Sequence, residues 1–184
     1  MAVMNGIAIE TERLRMRRLE PKDATRLSEY RSDPAVARYQ SWESMTIDDA
    51  DAFIAALPAE FLATDDEWSQ LAIADKTTDA IIGDIGLCRK TGDLVEIGFT
   101  LAPAAQGRGL AAEACRAVIA WVFSNPNVTT LEANVDSRNA GAIALVKRLG
   151  MAFDHSVIAE FKGESCTEMR FVMHRQTAPQ SPPL

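Results

Sequence analysis

The spacing of apolar residues along the chain predicts strands and helices in a definite order. Leu14 and Met16 alternate with arginines, which predicts a first strand over Arg13–Leu19. A helix is predicted over Lys22–Ser32, because Pro34 lacks the backbone N–H that its continuation would need. The chain therefore begins with a strand followed by a helix.

A second helix is predicted to begin at the capping residue Thr46 and to end before Pro58. The middle of the chain then changes to strands, which are separated by short turns rich in Thr, Gly and Asp. These predicted strands are Trp68–Asp75, Ile81–Arg89 and Leu94–Leu101. Connections this short imply an antiparallel meander.

After Leu101 the period of the apolar residues changes to that of helices packed on one face. The predicted elements are, in order, the helix Leu110–Ser124, the strand Thr130–Val135, the helix Ser137–Leu149 and the strands Ser156–Phe161 and Glu168–Met173. The strand–helix–strand unit requires a locally parallel pair of strands. The complete order, β-α-α-β-β-β-α-β-α-β-β, predicts a mixed α/β (α+β) fold with helices on both faces of a mixed sheet.

Length and composition predict a single globular domain. We expect residues 1–175 to form this domain and the Pro-rich tail, Gln176–Leu184, to be disordered, and Met1–Ile7 also has the character of a loose end. No apolar stretch reaches the ~20 residues that a membrane helix needs, and the N-terminus lacks the layout of a secretory signal. We therefore expect a cytoplasmic protein without a membrane partner.

Charge and cysteine content narrow the classes of function. The 19 basic and 26 acidic residues give a net charge of −7, which argues against a nucleic-acid partner. An acidic chain suits a cationic substrate such as an amine, although acidic surfaces also simply keep proteins soluble. Cys88, Cys115 and Cys166 are scattered and form no CxxC pair, so we expect buried thiols, no disulfide framework and no metal site.

The segment Gln106-Gly107-Arg108-Gly109-Leu110-Ala111 lies between a predicted strand and a predicted helix. Glycines there let a ligand approach the backbone, and the unpaired amides of a helix start favour a phosphate group. Arg108 can add a charge-assisted contact. Glycines at a helix start also occur in ordinary turns, and neither the P-loop nor the dinucleotide-binding pattern is present.

The same segment resembles the acetyl-CoA loop of the GNAT superfamily, whose pattern is Gln/Arg-x-x-Gly-x-Gly/Ala. Gln106, Gly109 and Ala111 occupy its three fixed positions. Further segments are similar to the RimJ/RimL-type branch, which acetylates the N-terminal amines of ribosomal proteins. They include Thr11-Glu12-Arg13-Leu14-Arg15-Met16-Arg17, Glu96-Ile97-Gly98-Phe99, and Asn139 ahead of Lys147-Arg148-Leu149-Gly150-Met151.

This resemblance implies a mostly antiparallel sheet of six to seven strands that splays into a V, and acetyl-CoA as co-substrate without a metal. It implies that the pantetheine arm pairs with the backbone of Phe99, Thr100 and Leu101, that the diphosphate lies on the Gln106–Ala111 amides, and that Asn139 contacts the arm. Asn139 is equally suited to cap a helix. Members of the family often pair, so a homodimer is also expected.

The resemblance points to direct attack of a primary amine on the thioester in a ternary complex. Glu96 is the candidate base, directly or through a water, because the apolar neighbours Val95 and Ile97 would raise its pKa. Alternatively, Glu96 positions a cationic substrate or pairs with an arginine. Glu113 and Glu132 are weaker candidates, since a carboxylate in the first turn of a helix often only complements the helix dipole.

The group that protonates the CoA thiolate is not evident from the sequence. Relatives often use a tyrosine, or a serine three residues after the asparagine, whereas this chain has Ala142 at that position and only Tyr30 and Tyr39, both far upstream. Water is one source of the proton, because a thiol has an ordinary pKa near ~8.5. The alternative is a catalytically weak or inactive module that binds acyl-CoA.

The acceptor pocket is predicted to be formed by the segment that connects the first two helices, Val36–Met45. Tyr39 and Trp42 are expected to form its wall, although both residues also suit an ordinary core. Trp68 and Trp121 are assigned to packing. The acceptor itself, a protein N-terminus or a small-molecule amine, stays open, since a fold does not choose among amines.

Overall fold

The computed structural model describes residues 7–177, and within them one eight-stranded sheet forms the centre of the fold. The strands lie side by side in the order β1-β2-β3-β4-β5-β6-β8-β7. They are β1 (Ala8–Glu10), β2 (Leu14–Arg18), β3 (Trp68–Asp75), β4 (Ile81–Arg89), β5 (Leu94–Leu101), β6 (Thr130–Asp136), β7 (Ala152–Phe161) and β8 (Glu164–His174). The sheet exceeds the predicted six to seven strands because the short β1, which the sequence pattern did not predict, pairs with β2.

The direction of the strands confirms the mixed, mostly antiparallel sheet. Neighbouring strands are antiparallel except β5 and β6, which are parallel. A parallel pair needs a crossover, and the helix between these two strands provides it. The predicted meander of β3, β4 and β5 is also confirmed.

The helices are α1 (Ala24–Arg31), α2 (Pro34–Ala37), α3 (Ile47–Ala56), α4 (Leu110–Ser124) and α5 (Ala140–Arg148). Pro34 does end α1, but it also occupies the first turn of α2, a short helix that was not predicted and that Asp33 caps. Thr46 and Asp49 form the predicted capping box of α3. The last helix begins at Ala140 rather than at Ser137, because the Ser137 N–H donates to Thr167 O and Asn139 is the cap.

Two apolar clusters lie on opposite faces of the sheet. On one face, α4 covers inward-facing residues of the central strands, including Leu71, Ile85, Val95, Ile97 and Leu131. On the other face, α1 and α3 cover Ala72, Ala74 and Ile81. Helices therefore lie on both faces of the sheet, as predicted. On the second face, α1 and α3 cover only part of the sheet.

Several expectations concern the ends of the chain and its surface. The two ends predicted to be loose lie outside the described residues, apart from the buried Ile7 and a 3-10 turn over Arg175–Thr177. Cys88, Cys115 and Cys166 are buried and free, as predicted. In the described part of the chain, no helix is long and apolar enough to cross a membrane.

Candidate functional site

The strands β5 and β6 separate after three paired positions. Their pairing ends at Glu96 and Glu132, whereas β5 continues to Leu101. Peptide groups alternate in direction along a strand, and the Ala102 N–H donates to Ile82 O on the β4 side at 2.8 Å. The N–H and C=O groups of Phe99 and Leu101 therefore face the gap between β5 and β6, whereas those of Thr100 face β4.

A glycine-containing loop connects the end of β5 with α4. Gly107 and Gly109 have φ angles of +73° and +76°, a left-handed conformation that strongly favours glycine. Gly109 is the N-cap of α4 and no side chain caps this helix, so its first amides keep their donors for a ligand. Arg108 is exposed beside them, whereas the Leu110 side chain is buried and anchors the helix.

Side chains distant in sequence brace this loop. The Glu113 carboxylate in the first turn of α4 accepts hydrogen bonds from Thr11 Oγ1 at 2.6 Å and from Arg13 Nε at 2.7 Å. Arg13 Nη1 donates in turn to Arg108 O at 3.2 Å. Burial raises the pKa of Glu113, but the hydrogen bonds from Thr11 and Arg13 outweigh it and the net pKa is lowered. Glu113 is therefore a structural carboxylate, and sequence reasoning missed its partner Arg13.

A cavity of about 450 Å³ opens where the two strands diverge. It brings together β5, α2 with the segment after it, and the beginning of α5. Of the predicted site residues, it contains Tyr39, Phe99, Thr100, Leu101, Gln106 and Asn139. The Gln106 side chain folds back into it and donates to Leu101 O at 3.0 Å. The remaining loop residues, 107 to 111, adjoin this cavity through Gln106 but do not line it.

The beginning of α5 forms one wall of the cavity. Asn139 Oδ1 accepts a hydrogen bond from the Ala142 N–H at 3.0 Å, so the alternative role as a helix cap is confirmed. Asn139 also lines the cavity, as does Ala142, the position at which relatives often have serine. Asn139 can both cap α5 and contact a ligand, because the start of this helix lines the cavity.

The two aromatic residues predicted for the acceptor pocket have different surroundings. Tyr39 lines the cavity, and its hydroxyl donates to Arg138 O at 3.2 Å. Trp42 does not line it. Its Nε1 donates to Arg31 O at 3.0 Å, and the centroid of its ring lies 4.2 Å from the guanidinium carbon of Arg31. Trp42 thus makes the structural contacts that the sequence also allowed, and its role at the acceptor stays a prediction.

Glu96 lies on the sheet face opposite α4, at the last position of β5 that pairs with β6. Val95 and Ile97 face the α4 side, so the expectation of an apolar setting for this carboxylate is wrong. Its actual neighbours are polar: Asn134 Nδ2 donates to Oε1 at 3.1 Å, and Lys90 Nζ lies 3.2 Å from Oε2. It pairs with a lysine and not with an arginine, and it adjoins the cavity along β5 without lining it.

Two carboxylates close to Glu96 differ in their surroundings: Glu132 has a fixed partner, and Glu168 is surrounded by other negative charges. Glu132 is buried and bound by Arg170 Nε at 2.6 Å, which removes it as a candidate base. Burial raises the pKa of Glu168, and the charges of Glu96, Asp136 and Glu132 raise it further. Among residues 7–177, no group of three or more His, Cys, Asp or Glu side chains is placed to hold a metal ion.

Comparison with known proteins gives a consistent result. Residues 13–152 match the family model described as the acetyltransferase (GNAT) domain. The chain is 32% identical over 141 residues to the uncharacterized N-acetyltransferase p20 of Bacillus licheniformis, covering 76% of this chain and 79% of that protein.

Solved structures with the same fold include two complexes with CoA species. One is spermidine N-acetyltransferase from Vibrio cholerae with CoA and spermine, with a TM-score of 0.76 at 17% identity over 91% of this chain and 98% of that one. The other is Mycobacterium smegmatis RimJ with CoA-disulfide, with a TM-score of 0.79 at 16% identity over 91% and 85% of the two chains. At these identities the likeness concerns the fold.

Proposed function

Because the chain belongs to the GNAT acetyltransferase family, and is thus an acetyl-CoA-dependent acyltransferase, we propose that it acetylates a primary amine. The observation that carries this proposal is that three features adjoin one another. The glycine loop, the gap-facing peptide groups of Phe99 and Leu101, and the cavity follow one another from α4 to the point where β5 and β6 separate.

This arrangement suits the chemistry of acetyl-CoA. The diphosphate lies on the loop from Gln106 to Ala111, at the amides that begin α4, where the positive end of the helix dipole adds to the attraction. The pantetheine arm runs back along β5 and pairs with Phe99 and Leu101. Asn139 contacts the arm from the other side. Thr100 contributes its side chain rather than its backbone, because its peptide groups face β4.

Acetyl transfer proceeds by direct attack in a ternary complex. The amine nitrogen forms a bond to the thioester carbon, the carbon–sulfur bond breaks, and the amine proton passes through a water to Glu96. A backbone N–H of the gap polarises the thioester carbonyl. The thiolate takes a proton from water or from the phenol of Tyr39, which the fold brings to the cavity from far upstream.

The acceptor is open between two kinds of amine. RimJ and a spermidine N-acetyltransferase share this fold, so the fold is compatible with a protein N-terminus and with a small polyamine. The decisive experiment measures thiol release from acetyl-CoA with N-terminal peptides and with spermidine. Turnover with at least one amine supports the proposal. Tight acetyl-CoA binding without turnover on any amine would instead identify a binding module, which Ala142 favours.

The role of Glu96 has its own test. In Glu96→Gln we expect kcat to fall by about 10²–10⁴-fold, because an amide cannot accept the amine proton. The acetyl-CoA affinity, measured by calorimetry, is expected to stay within about twofold, since Glu96 lies outside the cavity. If only the KM for the amine rises and kcat is kept, Glu96 binds the acceptor and is not a base.

A homodimer is the assembly that we propose. The edge strand β7 is exposed along most of its length and presents Phe153, Val157 and Ile158, which are 52%, 47% and 76% exposed. A free strand edge with apolar side chains is a template for pairing, and natural proteins usually cover or charge it. A second copy of the chain covers it here.

A further inference from the structure

The Trp68 side chain lies over the sheet, and two glycines make room for it. Its side chain is on the face opposite α4, where it packs against these glycines, but the residue stays 42% exposed. A Cβ on Gly86 would come within 3.0 Å of the indole Cε3, and one on Gly98 within 3.7 Å of Cζ3. Neither glycine has a positive φ. Gly86 in particular leaves the space that the ring occupies.

The indole extends from β3 across β4 to β5. Trp68 pairs with Cys88, and Cys88 pairs with Glu96, so the ring and the carboxylate lie on the same face two strands apart. The far edge of the ring reaches Gly98, which immediately precedes Phe99 at the cavity. A partly exposed aromatic ring thus adjoins the segment of β5 that lines the cavity.

An ammonium group already lies between the ring and the carboxylate. Lys90 Nζ is 3.2 Å from Glu96 Oε2, 5.9 Å from the centroid of the Trp68 ring and 3.4 Å from Asp66 Oδ1. A cation within about 6 Å of an aromatic face is attracted by the ring. Burial lowers the pKa of Lys90, but the hydrogen bond and charge of Glu96 outweigh it, so the pKa is raised and the ammonium form is kept.

We propose that Trp68 and Glu96 Oε2 form a subsite for a second positive charge of the acceptor, and that the Lys90 ammonium occupies it until the acceptor displaces it. This inference rests on the proposed acetylation of an amine. It assigns the acceptor to a chemical class: an aliphatic amine with another cationic group several methylene groups away, such as a diamine or polyamine.

The spacing supports a second charge rather than the reacting amine. Glu96 precedes Gly98 and Phe99 by two and three residues, which is about 7–10 Å at the rise of a strand. The two oxygens of Glu96 also face different partners, Asn134 on the β6 side and Lys90 on the β4 side. Oε1 thus faces the gap, from which a water would relay the proton of the reacting amine, and Oε2 faces the subsite.

The test compares amines that differ only in the second charge. We measure kcat/KM at saturating acetyl-CoA for cadaverine against pentylamine and for putrescine against butylamine. The wild type is expected to prefer each diamine, and Trp68→Leu to reduce that preference by roughly three- to thirty-fold through the amine KM. Lys90→Met, which removes the competing ammonium, is expected to raise the preference, whereas Lys90→Arg keeps the charge and is expected not to.

Matched controls separate the subsite from a loss of folding. Trp68→Phe keeps a ring and is expected to recover part of the preference, and Trp121→Phe, on α4 at the other face, is expected to change nothing. Turnover of both amines with an unchanged ratio in Trp68→Leu would overturn the subsite. So would an equal loss for monoamines and diamines in Lys90→Met.

A binding measurement keeps this inference separate from the proposed function. Calorimetry with CoA-saturated protein gives the cadaverine affinity without any turnover, and Trp68→Leu is expected to weaken it while Lys90→Met strengthens it. If no amine is acetylated but these shifts occur, the proposed function fails and the subsite stands. If amines are acetylated without such shifts, the subsite alone fails.

Discussion

The pKa of Glu168 reflects the negative charge on the sheet face opposite α4. It lies on β8, within the field of Glu96, Asp136 and Glu132, and burial together with these charges raises its pKa above the ordinary value of 4.5. The folded chain therefore holds this proton more tightly than the unfolded chain does. The resulting stability is fully present below the unfolded-state pKa and is lost as the pH rises through the folded-state value.

Glu168→Gln is therefore expected to stabilise the protein in a pH-dependent way, because glutamine cannot ionise. Urea unfolding should show little difference from the wild type near pH ~4 and a higher midpoint for the variant near pH ~7. Glu160→Gln, an exposed change on the neighbouring strand, is the control and is expected to show no such trend. A Glu168→Gln midpoint equal to wild type at both pH values would contradict the raised pKa.

The element that organises the cofactor site is α4 with its preceding loop. The helix packs its apolar face on the sheet, and Gly109 starts it in a left-handed conformation. Arg13 and Glu113 then tie the first turn of α4 to the beginning of β2. These contacts fix the α4 end of the loop without using the amides of Gly107, Arg108 or Gly109.

Gly109→Glu is expected to weaken acetyl-CoA binding by roughly 10–100-fold, because it strains the cap and adds a negative charge where the diphosphate binds. Gly92→Glu is the matched control. Gly92 also has a positive φ, +92°, and nothing lies within 4 Å of an added Cβ, but it is in the β4–β5 turn. Both variants should lose about 1–2 kcal/mol of stability, whereas calorimetry should show weaker binding only for Gly109→Glu. Equal affinities would refute the loop assignment.

At the scale of the whole molecule, contacts between distant segments position the elements around the predicted acceptor pocket. The buried Asp84 on β4 accepts hydrogen bonds from Tyr30 Oη at 2.6 Å and Arg31 Nη2 at 2.7 Å, which fixes α1 on the sheet. The tip of the β7–β8 hairpin reaches the same region, where Lys162 Nζ donates to Ala37 O at 2.9 Å and to Trp42 O at 2.6 Å. The outer strand β7 stays exposed.

Ile158→Lys tests whether a second copy covers β7. We expect the wild type to sediment as a dimer and the variant to shift toward monomer, because a lysine on an edge strand opposes pairing. The control is Ile47→Lys, since Ile47 is also exposed, at 49%, but lies on α3. A monomeric wild type at micromolar concentration would exclude the proposed dimer.

Much of the fold follows from local sequence patterns. The predicted strands β3, β4 and β5 agree with the structure at both ends, because alternation and turn residues act over a few positions. β1 and α2 were missed, since three or four residues hold too little pattern. The hairpin strands β7 and β8 were predicted too short, because the end segments that the prediction left out are largely exposed and carry little hydrophobic pattern.

The sequence by itself determined the glycine loop, the helix after it and the family resemblance, because left-handed glycines, helix starts and motif spacing are local properties. Only the tertiary structure decided which side chains meet. Strand pairing brings Trp68 near Glu96, and Tyr39 reaches the cavity beside Asn139 although a hundred positions separate them in the sequence. It also turned Val95 and Ile97 away from Glu96, because successive side chains of a strand point to opposite faces. Such contacts depend on packing and register, which no single segment encodes.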